Sequence, residues 1–549
     1  MGIKEKIEKW VEETLEVSEV ILVHPKEIKN GDYTLIINDD KAEEYFEKLK
    51  ANLIPEIKSL EFVKPRFINV YLSEQFFADA ISEINKEKEK FGQTDLYKNK
   101  KVIIEYTDPN PFKEFHIGHL MPNVIGESLS RIIECNGSDL KRVNYQGDVG
   151  LHVAKAIWGK LQKPELAWGE AYAYGSTHYE SNKEKIDEIN KKIYEKSDEE
   201  INKLYKDGKQ DSLDRFEILY KQLGTKFDRY FFESEVGEFG KKTVLDFVAK
   251  GIFEESEGAI VFRGEKFNPK LHTRVFVSSQ GLPVYEAKEL GLSKIKYDFY
   301  PYDLSIIVTG NEINEYFKVL ITAMGQVFPD LAQKTKHLSH GMLRLPTGKM
   351  SSRTGDVVTA ESLISQVKEK VKEKIVDREF GDDEKENIAE VVAIGAIKYS
   401  ILRQAIGGDI VFDFDKSISF EGDSGPYLQY TAVRATSVLE KSDLTPGPSP
   451  RLSRGERVER PESFEIQEVE KLLYRFPEVV ERAGREYAPH HLVTYLTELA
   501  SAFNSFYGKE KIIDKSDPSS PYKLALTETV AIILKNGLYL LGIKVPEKM

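Results

Sequence analysis

Apolar positions along this chain follow one rhythm to about residue 98, a second to about 375 and a third to the end. Ile3, Ile7, Trp10, Val11 and Leu15 recur every three or four residues and mark one face of an amphipathic helix. Two short runs rich in β-branched and aromatic residues, Tyr33–Ile37 and Phe67–Leu72, read as strands, and a charged helix follows from Phe76 to Phe91. Residues 1–98 are therefore expected to form an α+β module, with the polar stretch Gly92 to Lys101 as a linker.

The second rhythm alternates strand, loop and helix. Val102-Ile103-Ile104-Glu105-Tyr106 is a β-branched run. A turn cluster, Thr107-Asp108-Pro109-Asn110-Pro111, ends it, and a helical pattern runs from near Gly118 to Cys135. Val143-Asn144-Tyr145 and the loop Gly147 to Gly150 repeat the scheme. Further strand signals stand at Ala259–Phe262, Val275–Val277 and Ile306–Val308. This alternation predicts an α/β fold, a Rossmann-type parallel sheet over 99–375. The charge-dense stretch at about 160–250, with its Lys/Glu run, reads as a solvated helical insertion.

From 376 to 549 the pattern is helical throughout. The main candidates are Ile388–Ala405, Tyr427–Glu440, Val469–Tyr487, Pro489–Tyr507 and Tyr522–Gly542. Residues 444–462 interrupt them with prolines, then arginines, a composition that cannot build a core; a disordered loop without a function of its own is expected there.

Charge and cysteine content narrow the function. Lys and Arg number 78 against 91 Asp and Glu, a formal balance of −13. That argues against a DNA coat or a polybasic membrane binder. A basic patch for RNA can still sit on an acidic whole. A single cysteine, Cys135, excludes an intrachain disulfide and a Cys-based zinc site. The first helix has mixed charge and no signal-peptide core. The longest apolar stretch, Val391 to Leu402, contains Lys398 and is too short to span a bilayer. A cytoplasmic soluble protein is expected, with no metal, DNA or membrane ligand, and a monomer because no interface signal stands out.

The strongest chemical signal is His116-Ile117-Gly118-His119, shortly after a buried strand and at the start of a helix. A phosphate there would meet free backbone N–H groups and the positive end of the helix dipole. Gly118 lets a nucleotide approach the backbone, and the two imidazoles can donate hydrogen bonds as charge builds on a triphosphate. About 230 residues later comes Lys349-Met350-Ser351-Ser352-Arg353-Thr354-Gly355, a Gly-bounded loop with two cations and three hydroxyls. Such a loop can close on a triphosphate and neutralise the leaving pyrophosphate. Either motif alone could be ordinary structure; together they point to nucleotide activation.

The pair resembles the two signatures of class I aminoacyl-tRNA synthetases, and the surroundings resemble the arginyl-tRNA synthetase family. Asp108-Pro109-Asn110-Pro111 is similar to that family's entry into the first signature, and Val143 to Gly150 to its second loop. Phe227-Asp228, Glu233-Ser234, Ala502 to Tyr507 and Leu540 to Ile543 also match, so the resemblance spans nearly the whole chain. Tyr427 to Arg434 resembles the start of the anticodon-binding domain, and Phe67 to Tyr71 the core of the N-terminal module that contacts the tRNA elbow. There are departures. The second signature has Ser352 in place of its second Lys, with Arg353 following. The substrate loop has Glu289 where Asp is usual, and the Gln after a later strand appears as Glu312 or is displaced.

The resemblance implies ligation of L-arginine to tRNA(Arg) with ATP and Mg²⁺, through an arginyl-adenylate. It implies catalytic roles for His116, His119 and Lys349. It implies ATP contacts at Asn110, Phe115, Gly118, Met350, Ser351, Ser352 and Arg353, and tRNA contacts at Asn69, Arg434 and Tyr487. It implies an arginine pocket at Glu105, Asn110, Asn144, Asp148, Tyr285 and Glu289. The residues themselves leave Asp148 open between turn-former and ligand, and Glu105 and Glu289 between surface acids and pocket. A guanidinium is planar and always charged and wants carboxylates placed for bidentate pairing. For Phe503, Phe506 and Tyr507 the spacing favours plain helix core. The rival readings are a class I synthetase for another amino acid, a non-catalytic tRNA-binding paralogue, and a small-metabolite nucleotidyltransferase.

Overall fold

The computed structural model describes residues 2–38, 41–345, 358–443 and 458–549. Its centre is a five-stranded parallel sheet. In spatial order the strands are Thr335–His340, Leu304–Gly310, Lys101–Glu105, Asp139–Gln146 and Arg229–Phe232. The chain builds outward from Lys101–Glu105 to one edge, then returns to pair Leu304–Gly310 on the other side of the first strand. The strand order therefore reverses beside the C-terminal end of Lys101–Glu105, the position where open α/β sheets bind ligands.

Alternation divides these strands between two faces. Glu105 pairs with Val143, so Glu105, Val143 and Tyr145 share one face while Asn144 and Gln146 point to the other. On the first face Ile103, Val143 and Tyr145 pack against the helices Tyr285–Phe299 and Asn314–Val327. On the second, Val102, Ile104 and Leu140 pack against the helix Ile117–Cys135. That helix is buried almost all round, between the sheet and the C-terminal helices. Its far end is tied to the last long helix, Ser520–Leu540: Ser128 Oγ donates to Leu540 O (3.1 Å) and Arg131 Nη1 to Tyr539 O (2.9 Å).

The N-terminal part holds a four-stranded antiparallel sheet, Ile21–Val23, Tyr33–Ile36, Phe67–Leu72 and Ile57–Val63 in spatial order. It docks on the C-terminal helices through Glu478, which receives hydrogen bonds from Tyr33 Oη (2.5 Å) and His24 Nε2 (3.1 Å).

Four expectations need correction. Lys101 belongs to the first parallel strand rather than a linker. The stretch at about 160–250 is not all helical insertion, because Arg229–Phe232 is an edge strand of the central sheet and the helix Glu233–Val248 follows it. Val469–Tyr487 is two helices, Glu468–Leu473 and Phe476–Glu486, divided where Pro477 enters the first turn of the second. Of 444–462, residues 444–457 lie outside the described residues, and the expected disorder does not extend to Val458 and Arg460. Val458 is buried and donates its N–H to Ser82 Oγ, and Arg460 forms a buried ion pair with Glu470 at 2.5 Å.

Candidate active site

The first signature forms an unusual helix cap. His116 occupies the position before the first helical residue, where its Nδ1 accepts the Gly118 N–H at 3.0 Å. His119 reaches back and its Nδ1 accepts the His116 N–H at 3.3 Å. The two rings stack with centroids 3.8 Å apart. An accepting Nδ1 carries no proton, so each neutral ring holds its proton on Nε2. Burial, helped by the nearby Lys113 ammonium, lowers the His116 pKa to about 4. Burial, then His116 and Lys113, pushes His119 well below its usual value. Both rings are thus neutral donors at a helix N-terminus, free of charge until something negative arrives. Gly118 is required here, since a Cβ would lie 2.7 Å from the His116 ring.

The described residues that follow the second signature rest directly on the first. Ile117 N–H donates to Val358 O (3.2 Å), Ala360 N–H donates to Phe115 O (2.9 Å), and His116 bridges to Thr359. Lys349, Met350, Ser351, Ser352 and Arg353 themselves lie outside the described residues.

The strand-end loop is held in a costly shape. Thr107 and Asp108 both have positive φ, 84° and 47°. Two consecutive non-glycine residues in that region cost about 1–3 kcal/mol each. Hydrogen bonds offset the cost: Thr107 Oγ1 accepts from Asn123 Nδ2 (3.0 Å) and Asp108 Oδ1 from the Tyr145 N–H (2.8 Å).

Beside it lies a basin rich in carboxylates. Glu105, 2% exposed, pairs with the equally buried Lys296 at 2.7 Å. Glu289 is pushed well above the usual carboxylate range by burial and then by Glu105, and Asp108 by the same two causes. Burial alone would lower the Lys296 pKa, but the Glu105 carboxylate outweighs it and raises it. Three carboxylates thus share one ammonium, and the basin is short of positive charge. A second buried pair, Lys288 with Glu233 at 2.5 Å, lies alongside. The open hollow of about 430 Å³ lined by Ile218, Leu223, Glu390 and Lys544 is elsewhere, against the C-terminal helices.

The expected site residues divide by what their atoms already do. Asn110 Oδ1 accepts the Gly147 N–H at 2.9 Å, which fixes the second loop against the first. Glu289 and Glu105 lie close enough to repel, and Glu105 is already paired with Lys296. Asn144 lies on the opposite sheet face, where Nδ2 donates to Tyr220 Oη (3.0 Å) and Oδ1 is buried without a partner. Asp148 does not face the basin as a free ligand. Its oxygens accept from Tyr205 Oη (2.7 Å), Lys209 Nζ (2.7 Å), Ser234 Oγ (2.6 Å) and Ser234 N–H (2.9 Å). Burial works against its charge, but Lys209 and Ser234 hold its pKa low. Tyr285 is 62% exposed at the start of the helix that carries Glu289 one turn later. The Phe115 ring is core, packed on His119, Phe216 and Tyr220.

The residues expected to touch RNA are also sorted by the structure. Asn69 is buried and its Oδ1 accepts from Thr34 Oγ1 at 2.8 Å, so it joins two strands instead of facing solvent. Tyr487 lies under Lys336, with Nζ 4.0 Å from its ring centroid, at the seam with the central sheet. Arg434 Nη1 donates to Asn504 Oδ1 (2.5 Å), and the guanidinium lies over Tyr430 (4.7 Å) and Tyr507 (5.2 Å). Phe503 and Phe506 are core, while Tyr507 is 40% exposed.

Sequence reasoning missed Lys113, Lys296, Gln146 and Tyr316. Lys296 had a signal: it stands two turns after Glu289 on one helix. Gln146 is fully buried with both amide atoms unpaired. No spacing marks it.

Comparison with known proteins finds relatives over nearly the whole chain. The family model described as "tRNA synthetases class I (R), catalytic domain" matches residues 80–414, and "DALR anticodon binding domain" matches 428–549. The arginine–tRNA ligase of Borrelia turicatae is 30% identical, with 100% of this chain and 99% of that protein covered. That of Treponema denticola is 32% identical over 88% of this chain and 85% of its own. The solved Thermus thermophilus arginyl-tRNA synthetase shares the fold with a TM-score of 0.79 at 22% identity, with both chains fully covered.

Proposed function

The chain belongs to the class I (R) tRNA synthetase family, and on that premise we propose that His116 and His119 are its ATP-activating pair and that the Glu289 basin receives arginine. The protein is an arginine–tRNA ligase that joins L-arginine to tRNA(Arg) at the expense of ATP. The observation that carries the site assignment is the stacked, neutral imidazole pair at a helix N-terminus, against the residues that follow the second signature.

In this reading ATP lies over the helix N-terminus with Mg²⁺ carried on its phosphates as part of the substrate. The arginine carboxylate attacks the α-phosphate and pyrophosphate leaves. The two Nε2–H groups donate to phosphate oxygens as charge builds, and neutral donors cost little to hold dry until then. Lys113 supplies fixed positive potential, and Lys349 and Arg353 add theirs as the second signature meets the leaving group. The guanidinium supplies the positive charge that the basin lacks, which favours arginine over amino acids with neutral side chains. The terminal ribose of tRNA then takes the arginyl group from the adenylate. Asp148 acts as a positioning residue that ties the second loop to the helix Glu199–Leu223. For tRNA, Arg434 with Tyr430 and Tyr507 offers a cationic, stackable surface suited to anticodon bases. Work on tRNA fits a cytoplasmic setting; the monomer expected from the sequence is checked by sedimentation.

Replacing His119 with Ala tests the assignment. Turnover should fall by orders of magnitude, with tRNA affinity nearly unchanged. Normal turnover with tRNA binding lost would refute it.

A further inference from the structure

The arginine basin contains two hydroxyls with nothing to bond. Tyr145 Oη and Tyr316 Oη are both buried and have no hydrogen-bond partner. They come from separate elements. Tyr145 is on the Glu105 face of its strand, one pair further toward the ligand end. Tyr316 is on the helix Asn314–Val327, which covers the same face beside the Glu289 helix. After burial, Glu289 is the group that most raises the pKa of each hydroxyl, and Tyr316 is among those acting on Tyr145. The hydroxyl-bearing rings and the Glu289 helix thus meet on one face of the central sheet. The Tyr316 ring is braced edge-on by Phe317 (5.3 Å) and capped by the Arg274 guanidinium (5.6 Å), itself paired with Glu286.

A guanidinium offers five N–H donors in a fixed plane. One carboxylate accepts two of them in a fork. The others need acceptors, and more carboxylates would overcharge a basin that already holds three. A phenol fits the need: it adds no charge, and its lone pairs can accept from the guanidinium. We propose that Tyr145 and Tyr316 are specificity-determining residues for arginine, whose hydroxyl oxygens accept guanidinium N–H groups beside Glu289. The proposal rests on reading the Glu289 basin as the arginine site. An ammonium has only three donors, all on one atom, and cannot form the planar fork with a carboxylate.

Tyr316→Phe and Tyr145→Phe keep the rings and remove only the oxygens. Steady-state aminoacylation should show KM for arginine raised about 10- to 100-fold in each, the worth of a hydrogen bond to a charged group. The kcat should stay within about threefold, as expected for a uniform binding contact, and KM for ATP should not move. Inhibition by agmatine, a guanidinium without the carboxylate, should weaken in parallel. An unchanged KM for arginine in both variants overturns the proposal. So does a joint loss of kcat and ATP affinity, which marks a merely structural role. Failure of the wild-type protein to charge arginine would instead sink the basin reading on which it stands.

Discussion

Alanine at Gly118 should damage catalysis without unfolding the protein. The added Cβ would lie 2.7 Å from Cε1 and from Nδ1 of His116, where ordinary contact begins at 3.4 Å. The ring must retreat by about 0.7 Å, which breaks its 3.0 Å bond to the Gly118 N–H. Losing that cap costs about 1 kcal/mol. Gly→Ala within a helix returns roughly the same amount. Net stability should therefore change by less than about 1 kcal/mol, while one imidazole moves and its stack on His119 opens. A displacement on the order of 1 Å at reacting groups can cost about 100-fold in rate. Pyrophosphate exchange and aminoacylation should show kcat lowered about 30- to 100-fold by the same reasoning, with tRNA affinity and melting temperature near wild type. A kcat within threefold of wild type, or a loss explained by unfolding, would refute the claim that the cap geometry sets the imidazole's working position.

Lys296→Met should cost about 3–5 kcal/mol of folding stability in urea titrations, because it strands the buried Glu105 carboxylate. Adding Glu105→Leu should recover most of it, and a single-variant loss below about 1 kcal/mol would show that the pair is not buried as described. His116 provides a pH signature: its folded pKa of about 4 lies below the usual 6.5, so the unfolded chain binds the extra proton between those values and stability is lost as pH falls through that window. Raised carboxylates such as Glu289 act in the opposite sense, so the test is a difference. His116→Asn should shrink the stability change between pH 7 and pH 5 by about 2 kcal/mol, and an undiminished change would contradict the neutral, buried ring.

Much of the site was legible because its signals are local. The β-branched run at Val102, the proline-bounded turn and the helix after His116 are neighbours in sequence, and each carries its own propensity. What escaped depends on long-range pairing. Asp148 looks like a free acid until Tyr205, Lys209 and Ser234 arrive from elsewhere in the fold to occupy its oxygens. The resemblance puts Asn144 in one pocket with Glu105, but strand alternation with the observed register sets them on opposite faces. The strand Thr335–His340 reads as polar and was not foreseen, because as an edge strand it is only partly covered. The resemblance points to Asn69 as an RNA contact because it identifies positions, not which way a side chain faces, and Asn69 faces Thr34.

Aminoacylation of total tRNA with each of the twenty amino acids tests the central claim most directly. The imidazole pair and the charge-deficient basin predict charging with arginine and no other, dependent on ATP. Charging with a different amino acid would contradict the basin, and tRNA binding without any charging would contradict the imidazole pair as well.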